Sequence, residues 1–397
     1  MIAISSGVAR RTPTLRAAVL SLTLLTVALG GALAAEVPTR TPSGGGPAPR
    51  VADDLTESER TAIETRARST IARLEAQGAL ESVAASAGAP VRFVTWPVVP
   101  ALGAPDARLD TVSNFVDHDE HSPGAVRDFA CGQRSYDTTG YDHAGTDIAL
   151  WPFAWTRMDR NEALVVAAAA GTIVLKQDGN PDRNCSLDAT TPWNAILVRH
   201  RDGTVAWYGH LKSGSLTTKP EGSAVRAGEF LGVVGSSGSS TGPHLHFEIH
   251  GTDGRIVDPF AGACNPEPAA SWRAPVPYES PRINKVATHW APPRTASCPA
   301  TREARNLRQR FLPGDPIVYA VYLRDQLAGV PIGYEIVAPD GSVIDRWAQE
   351  GLETTSSASY WTWDSTVPAN AAPGRWRLRV TFGSETMEHQ FIVRQAR

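Results

Sequence analysis

The chemistry of this sequence is concentrated in two pairs of metal-binding side chains. His143 and Asp147 are four residues apart, and His244 and His246 flank a leucine at the start of an apolar run. In an extended chain, side chains alternate between faces, so each pair would project from one face of its strand. Two histidines and a carboxylate, with a fourth position left for water, form the donor set of a catalytic zinc site. Spacing alone leaves open which of His244 and His246 is the ligand.

A third segment, Trp207–Leu211, has the sequence Trp-Tyr-Gly-His-Leu and lies between these two pairs. The three segments in this order resemble the lysostaphin/LytM-type zinc endopeptidases, which cut peptidoglycan peptides. The signature of that family is H-x-x-x-D early, G-H-L between, and H-x-H late. The resemblance covers roughly residues 128–259 and includes Val165–Gly171 and Val225–Gly232.

The resemblance implies a site of five residues. His143, Asp147 and His246 would hold one Zn²⁺ ion per chain. The other two histidines, His210 and His244, would handle the proton of the metal-bound water and stabilise the developing oxyanion. We assign His244 as the base and His210 as the stabiliser, although the sequence leaves this division open. The implied fold is of the duplicated hybrid motif type, a mainly β domain with antiparallel sheet.

The first 35 residues have the layout of a secretory signal peptide. Three arginines precede an apolar run from Ala17 to Leu29, and small residues follow, with Ala32–Ala34 in the A-x-A form of a cleavage site. A membrane anchor is the alternative, but this run is shorter than the roughly 20 residues that a spanning helix needs. We therefore expect an exported protein, periplasmic or extracellular, without stable membrane insertion after signal removal. The net charge of −3 gives no basis for nucleic-acid binding.

The chain has four cysteines, which in an exported protein suggest two disulfides. Of the three possible pairings, we expect Cys131–Cys185 and Cys264–Cys298, because each pair stays within or beside one predicted domain. No C-x-x-C spacing supports a thiolate zinc site.

Composition and periodicity divide the N-terminal part into two segments. Residues 36–54 are rich in Pro, Gly, Ala and Thr and predict a flexible linker. Residues 55–92 predict a helical segment that starts with a capping box of Thr56 and Glu59. Apolar residues follow at helical spacing, at Ile63, Ala67, Ile71 and Leu74. This helix is either part of a pro-segment or a packing element of the main domain.

Residues 93–265 predict the zinc metallopeptidase domain, with short β runs separated by Gly and Asp-Gly turns. Its predicted strands are Leu164–Val174, Ala195–His200, Val205–Tyr208, Phe230–Val234 and Leu245–His250. A Pro-rich connector follows at 266–300, and residues 301–397 predict an immunoglobulin-like β-sandwich. The predicted strands of the sandwich are Pro316–Leu323, Pro331–Val337, Gly374–Thr381 and Glu388–Val393. This sandwich is expected to be a wall-binding or spacer module, or a structural cap.

Several further residues have two interpretations. The stretch Asp117–His121 has the chemistry of a second metal site, but a solvated acidic loop is favoured. The aromatic stretch Trp151–Trp155 is either a groove wall or a small core, and the core is favoured. His200 and His250 are interpreted as structural, and Tyr208 as either a substrate donor or a packed side chain.

These observations favour an exported peptidoglycan endopeptidase that acts on peptidoglycan peptides. One alternative is a non-catalytic relative that binds the wall or activates an amidase, but such proteins typically lack some of the five site residues. Another is a secreted protease that acts on proteins. Neither the scissile bond nor the oligomeric state is predicted.

Overall fold

The computed structural model describes residues 37–395, apart from 83–88, 120, 122–123, 139, 189, 267, 269–270 and 297. The predicted signal peptide lies outside the described residues, as does Glu120. No helix within these ranges is long and apolar enough to cross a membrane.

The described part of the chain is mainly β, as predicted, with helices α1 (Glu57–Ala76) and α2 (Ala154–Asp159). The strands before the C-terminal sandwich are β1 (Gly44–Pro47), β2 (Arg92–Phe93), β3 (Val98–Pro100), β4 (Asp110–Asn114), β5 (Asp137–Thr138), β6 (Tyr141–Asp142), β7 (Gly145–Leu150), β8 (Ala163–Val166), β9 (Gly171–Gln177), β10 (Ala195–Arg199), β11 (Val205–Gly209), β12 (Ala224–Val225), β13 (Phe230–Val233), β14 (His244–His250) and β15 (Ser271–Trp272). The remaining strands are β16 (Arg282–His289), β17 (Arg310–Phe311), β18 (Pro316–Gln326), β19 (Ile332–Val337), β20 (Val343–Gln349), β21 (Ser356–Thr366), β22 (Gly374–Phe382) and β23 (Glu385–Val393).

A seven-stranded antiparallel sheet positions the metal-binding residues, with the strand order β12-β9-β10-β11-β14-β7-β4. Every residue of β14 and β7 is buried. Leu245, Phe247 and Ile249 of β14 lie in the main hydrophobic core, which the small sheet β13-β8-β3 also joins. Because side chains alternate along a strand, His244 and His246 project from the opposite face.

Helix α1 covers part of that opposite face. Its predicted capping box is present, with Thr56 and Glu59 each bonding the other's backbone. Ile63, Ala67 and Leu74 are buried in a cluster with apolar side chains of the sheet, among them Leu175, Leu197 and Trp207. The helix therefore packs on the side of the sheet that carries the histidines.

The C-terminal sandwich has two sheets, with the strand orders β1-β21-β18-β16 and β17-β23-β22-β19-β20. Its own core includes Ile317, Val321, Tyr334, Trp347 and Leu378. The N-terminal strand β1 supplies one edge of the first sheet, and β16 comes from the stretch predicted as a connector. Segments far apart in sequence therefore complete the sandwich.

The expected disulfide pairing is wrong. The bonds are Cys131–Cys264 and Cys185–Cys298, with Cα–Cα distances of 5.2 and 5.5 Å. The expectation relied on proximity along the chain, whereas the fold places Cys264 against Phe129, whose carbonyl accepts its N–H at 2.9 Å. Each bond therefore joins segments more than a hundred residues apart, with sequence separations of 133 and 113.

Candidate metal centre

Neighbouring strands place Asp147 and His246 side by side. β7 and β14 run antiparallel, and their register sets Asp147 directly opposite His246. Directly opposite residues in such a pair have Cβ atoms about 4.5–5.5 Å apart. Here His246 Nδ1 lies 3.1 Å from Asp147 Oδ1. The sheet register, rather than any local motif, therefore brings the two donor atoms together.

Gly145 gives the ring of His246 its space. A Cβ atom at position 145 would lie 2.6 Å from His246 Nε2 and 2.7 Å from its Cε1. Both atoms belong to a buried ring on a strand that is paired on both sides, so the ring cannot move away from the added atom. The glycine of the His143–Asp147 segment is thus required by the neighbouring strand.

His143 lies in the turn between β6 and β7, just before the strand that carries Asp147. Its Nδ1 donates a hydrogen bond of 2.7 Å to the carbonyl of Phe115. Because a carbonyl only accepts, Nδ1 carries the hydrogen and Nε2 keeps its lone pair. His143 Nε2 is buried, makes no hydrogen bond, and lies 3.1 Å from Asp147 Oδ1. A buried nitrogen that has a lone pair and no hydrogen-bond partner is suited to bind a metal ion.

The other two ligand candidates are oriented in the same way. His246 donates from Nε2 to Glu248 at 2.9 Å, which leaves Nδ1 with a lone pair. Asn114 donates to Asp147 Oδ2 at 2.8 Å, which leaves Oδ1 facing the histidines. Hydrogen bonds on the far side of each ligand fix tautomer and orientation at metal sites. Two imidazoles and one carboxylate therefore converge with their free atoms inward, and this donor set fits zinc.

His210 and His244 face the same point from the other side. Their Nδ1 atoms donate to the carbonyls of Ser237 at 2.6 Å and Gly242 at 2.8 Å. Both Nε2 atoms are left to face the site, and the ring centroids are 4.5 Å apart. His210 has a φ of +59°, in the left-handed region that non-glycine residues rarely adopt. Such backbone strain is concentrated at functional sites.

A sixth side chain, Asp53, lies in the centre of the site. Its Oδ2 is 2.8 Å from His246 Nδ1, 3.2 Å from His210 Nε2 and 3.3 Å from His244 Nε2. The residue is only 2% exposed. Ligand atoms of Asp53 and the three candidate metal ligands all lie within 4.8 Å of one another. The segment predicted as a flexible linker thus ends inside the metal centre.

The charges of the site suit a divalent cation. Burial alone would raise the pKa of Asp147, but His143 and the other histidines outweigh it, and the pKa lies below its ordinary value. Burial alone would lower the pKa of His246, but Asp53 and Asp147 raise it well above the usual range. Burial and the neighbouring His244 lower the pKa of His210. The carboxylates therefore stay ionised, and their negative charge strongly favours a cation at the centre of the site.

Glu248 links the site to helix α1. It is fully buried, accepts from His246 and His250, and forms an ion pair with Arg60 of the helix. Burial raises the pKa of Glu248, but Arg60 and the two histidines hold it well below the usual range. Glu248 is therefore an anion that holds His246 in the tautomer with Nδ1 free.

Residues 142–259 match the sequence profile of peptidase family M23. These residues resemble that family and are called the M23 domain. A segment of 70 residues is 46% identical to DD-carboxypeptidase/endopeptidase Mpg of Neisseria meningitidis, covering 18% of this chain and 15% of that protein. A segment of 90 residues is 37% identical to the cell division protein DipM of Caulobacter vibrioides, covering 23% of this chain and 14% of that protein. The chain thus spans about a seventh of the length of these curated relatives.

A solved structure is also similar to part of this chain. The catalytic domain of the antimicrobial peptidase lysostaphin from Staphylococcus simulans is 27% identical, with 30% of this chain and 77% of that chain covered and a TM-score of 0.22.

The M23 domain brings together all five residues predicted from the sequence. Of the other candidates, Asp117–His121 does not converge on a metal position among the described residues. His118 instead pairs with Asp258 at 2.9 Å, and the His121 side chain is 87% exposed. Tyr208 is a packed side chain whose hydroxyl accepts from the Ala168 N–H.

The remaining alternatives are also resolved by contacts. Trp151 and Phe153 form a small core with Tyr322 and its neighbours on the sandwich, as favoured. His200 donates from Nδ1 to the carbonyl of Ala170 at 2.9 Å and is structural. His250, interpreted as structural, stacks on Trp207 and also holds Glu248.

Sequence reasoning missed five side chains of the centre. Asp53 lies outside the M23 domain, and its neighbours in sequence give no metal-binding pattern. Tyr141 donates to Asp53 Oδ1 at 2.8 Å, and Tyr136 stacks on His143 with ring centroids 4.6 Å apart. Asn114 orients Asp147 from β4. The strand-face rule could have identified Glu248, because it lies two residues beyond His246 on the same strand.

Proposed function

We propose that this chain is an exported zinc metalloendopeptidase that hydrolyses peptide bonds in peptidoglycan cross-links or stem peptides. The observation that carries the proposal is the convergence of five side chains on one point. His143 Nε2, His246 Nδ1 and Asp147 Oδ1 face inward with their other polar atoms already bonded. The Nε2 atoms of His210 and His244 face the same point without being needed as ligands.

In this proposal His143, Asp147 and His246 hold one zinc ion. The bound metal supplies a Lewis acid that polarises the substrate carbonyl and lowers the pKa of water toward about 7. His244 accepts a proton at Nε2, and the carbonyl of Gly242 fixes the proton on its Nδ1. Burial lowers the pKa of His244, but Asp147 and Asp53 raise it above the ordinary value, which suits a proton acceptor.

His210 is assigned to the oxyanion. Its pKa is lowered, first by burial and then by His244, so its uncharged form is favoured. The carbonyl of Ser237 binds Nδ1, and the unusual backbone conformation aims Nε2 into the site. A preoriented ring of this kind lowers the cost of organising the site around developing charge.

Purified cell walls provide the test. Zinc-loaded protein lacking residues 1–35 is incubated with walls beside its His246→Ala variant, and a His118→Ala variant controls for the loss of a histidine outside the site. The proposal expects solubilisation by the parent chain and the control but not by His246→Ala. Equal solubilisation by parent and His246→Ala, with no greater solubilisation by an Asp53→Ala chain, would contradict it. An Asp53→Ala chain is run in parallel, since Asp53 lies within the site.

Mass spectrometry of the released fragments then identifies the bond, because hydrolysis creates a new amino end and a new carboxyl end. Fragments in which both the cross-links and the stem peptides are intact would point away from an endopeptidase. Cleavage of a protein substrate with no action on walls would favour a secreted protease instead.

A further inference from the structure

The segment before helix α1 lies in the metal centre as an extended, hydrogen-bonded chain. We call residues 48–55 the strap. Val51 donates its N–H to Ser113 Oγ at 3.1 Å, and its carbonyl accepts from Asn114 Nδ2 at 2.8 Å. Ala52 donates to Thr241 Oγ1 at 2.8 Å and accepts from the Thr241 N–H at 2.9 Å. The two walls of the groove thus bind consecutive peptide groups of the strap.

We propose that the strap is a built-in inhibitor, in which Asp53 is the fourth metal ligand and the main chain fills the groove of an extended peptide substrate. The inhibitory role of the strap rests on the proposed function. The ligand role of Asp53 is independent of which bond the enzyme cuts.

The position of a single oxygen atom supports the ligand role. Asp53 Oδ2 is close to His246 Nδ1, on the metal side, and to the Nε2 atoms of His210 and His244. In a zinc hydrolase with three protein ligands, the fourth position belongs to water or substrate. A carboxylate oxygen at this point excludes water and engages both proton-handling histidines at once.

Neighbouring tyrosines hold the carboxylate in this direction. Tyr141 donates to Asp53 Oδ1, and Tyr136 accepts the Asp53 N–H at 2.8 Å. Both tyrosines are buried or half-buried, and Tyr136 also stacks on the metal-binding ring of His143. The side chain of Asp53 is therefore aimed at the site by its surroundings.

The strap is fastened on both sides of Asp53. Before it, β1 pairs with β21 of the sandwich, with Gly44 opposite Thr362. After it, α1 packs on the sheet, and Arg60 forms its ion pair with Glu248. Release of Asp53 therefore requires a cut in the strap or the loss of one of these two attachments.

The groove contacts also identify substrate-binding residues. Ser113 and Thr241 bind main-chain groups of the strap, so they bind without regard to side chains. A peptide that replaces the strap would take the same hydrogen bonds. Ser113 and Thr241 are therefore assigned to the binding of the substrate main chain.

The experiment compares the chain lacking residues 1–35 with its Asp53→Ala and Asp53→Asn variants. Asp54→Asn is the matched control, because it removes the adjacent carboxylate, which lies outside the metal centre. Zinc affinity is measured by competition with a chromogenic chelator, wall solubilisation is measured at equal zinc occupancy, and thermal melting verifies folding. The proposal expects zinc affinity about tenfold to a hundredfold weaker in Asp53→Ala. It also expects faster wall solubilisation by Asp53→Ala than by the parent, with Asp53→Asn between them.

Each other outcome overturns a stated part. Unchanged zinc affinity in a folded Asp53→Ala chain overturns the ligand role. Weaker zinc binding with no gain in solubilisation, while the parent is active, overturns inhibition. If no variant acts on walls but Asp53→Ala binds zinc more weakly, the ligand role stands and the proposed function fails. Equal changes in zinc affinity and wall solubilisation in Asp54→Asn and Asp53→Asn would mean that the loss of negative charge alone causes them. That result would overturn the specific role of Asp53.

Discussion

His246 donates its Nε2 hydrogen to Glu248 across 2.9 Å, and this bond determines which nitrogen of the ring is free. Glu248 lies two residues further along the same strand and is itself held by Arg60 and His250. The metal-binding strand thus carries both the ligand and the group that orients it.

Replacing Glu248 by Gln is expected to weaken zinc binding about tenfold to a hundredfold, because it removes the anion that fixes the His246 tautomer. Competition with a chelator measures the effect. Glu388→Gln, which removes a carboxylate from an exposed pair with Arg379, controls for the lost charge. Zinc affinity equal to that of the control would show that Glu248 does not orient the ligand.

The Gly145→Ala variant is expected to lose zinc binding and wall solubilisation, because the added methyl group meets the His246 ring at 2.6–2.7 Å. Overpacking of this kind costs about 1–3 kcal/mol, so the domain should still fold. Gly333→Ala is the control, since it also lies in a strand and its added Cβ meets nothing closer than 3.9 Å. Normal zinc affinity in a folded Gly145→Ala chain would contradict this account of the glycine.

The disulfide pairing has a direct test. Digestion without reductant, followed by mass spectrometry, should yield peptides joining Cys131 to Cys264 and Cys185 to Cys298. Because each bond closes a loop of more than a hundred residues, replacing either pair by serine should lower the free energy of unfolding by about 4–5 kcal/mol. Recovery of a peptide joining Cys131 to Cys185 would contradict the fold around both bonds.

Two histidines of the sandwich are expected to lower the free energy of unfolding in mild acid. Burial and nearby Lys285 lower the pKa of His289 and of His389 to about 4, although the Arg305 carbonyl partly opposes this shift for His289. Between pH 6.5 and pH 4 the unfolded chain therefore binds more protons than the folded one, so stability falls as the pH falls. From pH 6.5 to pH 5 the expected loss is about 2 kcal/mol per histidine.

Urea unfolding at these two pH values tests the contribution of His289. The His289→Gln chain should lose about 2 kcal/mol less than the parent over this interval. His121→Gln, at an exposed position, should behave as the parent does. An identical pH dependence in the His289→Gln chain would show that the ring does not titrate as its burial requires.

The five predicted site residues were visible in the sequence because sheet periodicity is local. A spacing of two on β14 fixes the face of His244 and His246 whatever the strand pairs with. The order of the three motifs then added the ligand assignment through family resemblance. Residues whose role follows from local spacing were therefore found.

Asp53 and the disulfides were missed because their partners are distant. Asp53 is 191 residues from His244, and no periodicity links a strap to a groove on another segment. Strand β21 was overlooked for a different reason. Its sequence is rich in Ser and Thr, and it becomes a central strand only because β1 and β18 pair on either side.

The pairing of β1 with β21 has a consequence for the order in which the molecule takes shape. Arg40, just before β1, binds Asp345, which is made 305 residues later. Residues 93–265 are complete well before Asp345 and β21 are made. A newly made chain thus passes through an interval in which its peptidase sheet can form while the strap is held from one side only. Closure of the strap is a late event of biosynthesis, set by the order of translation.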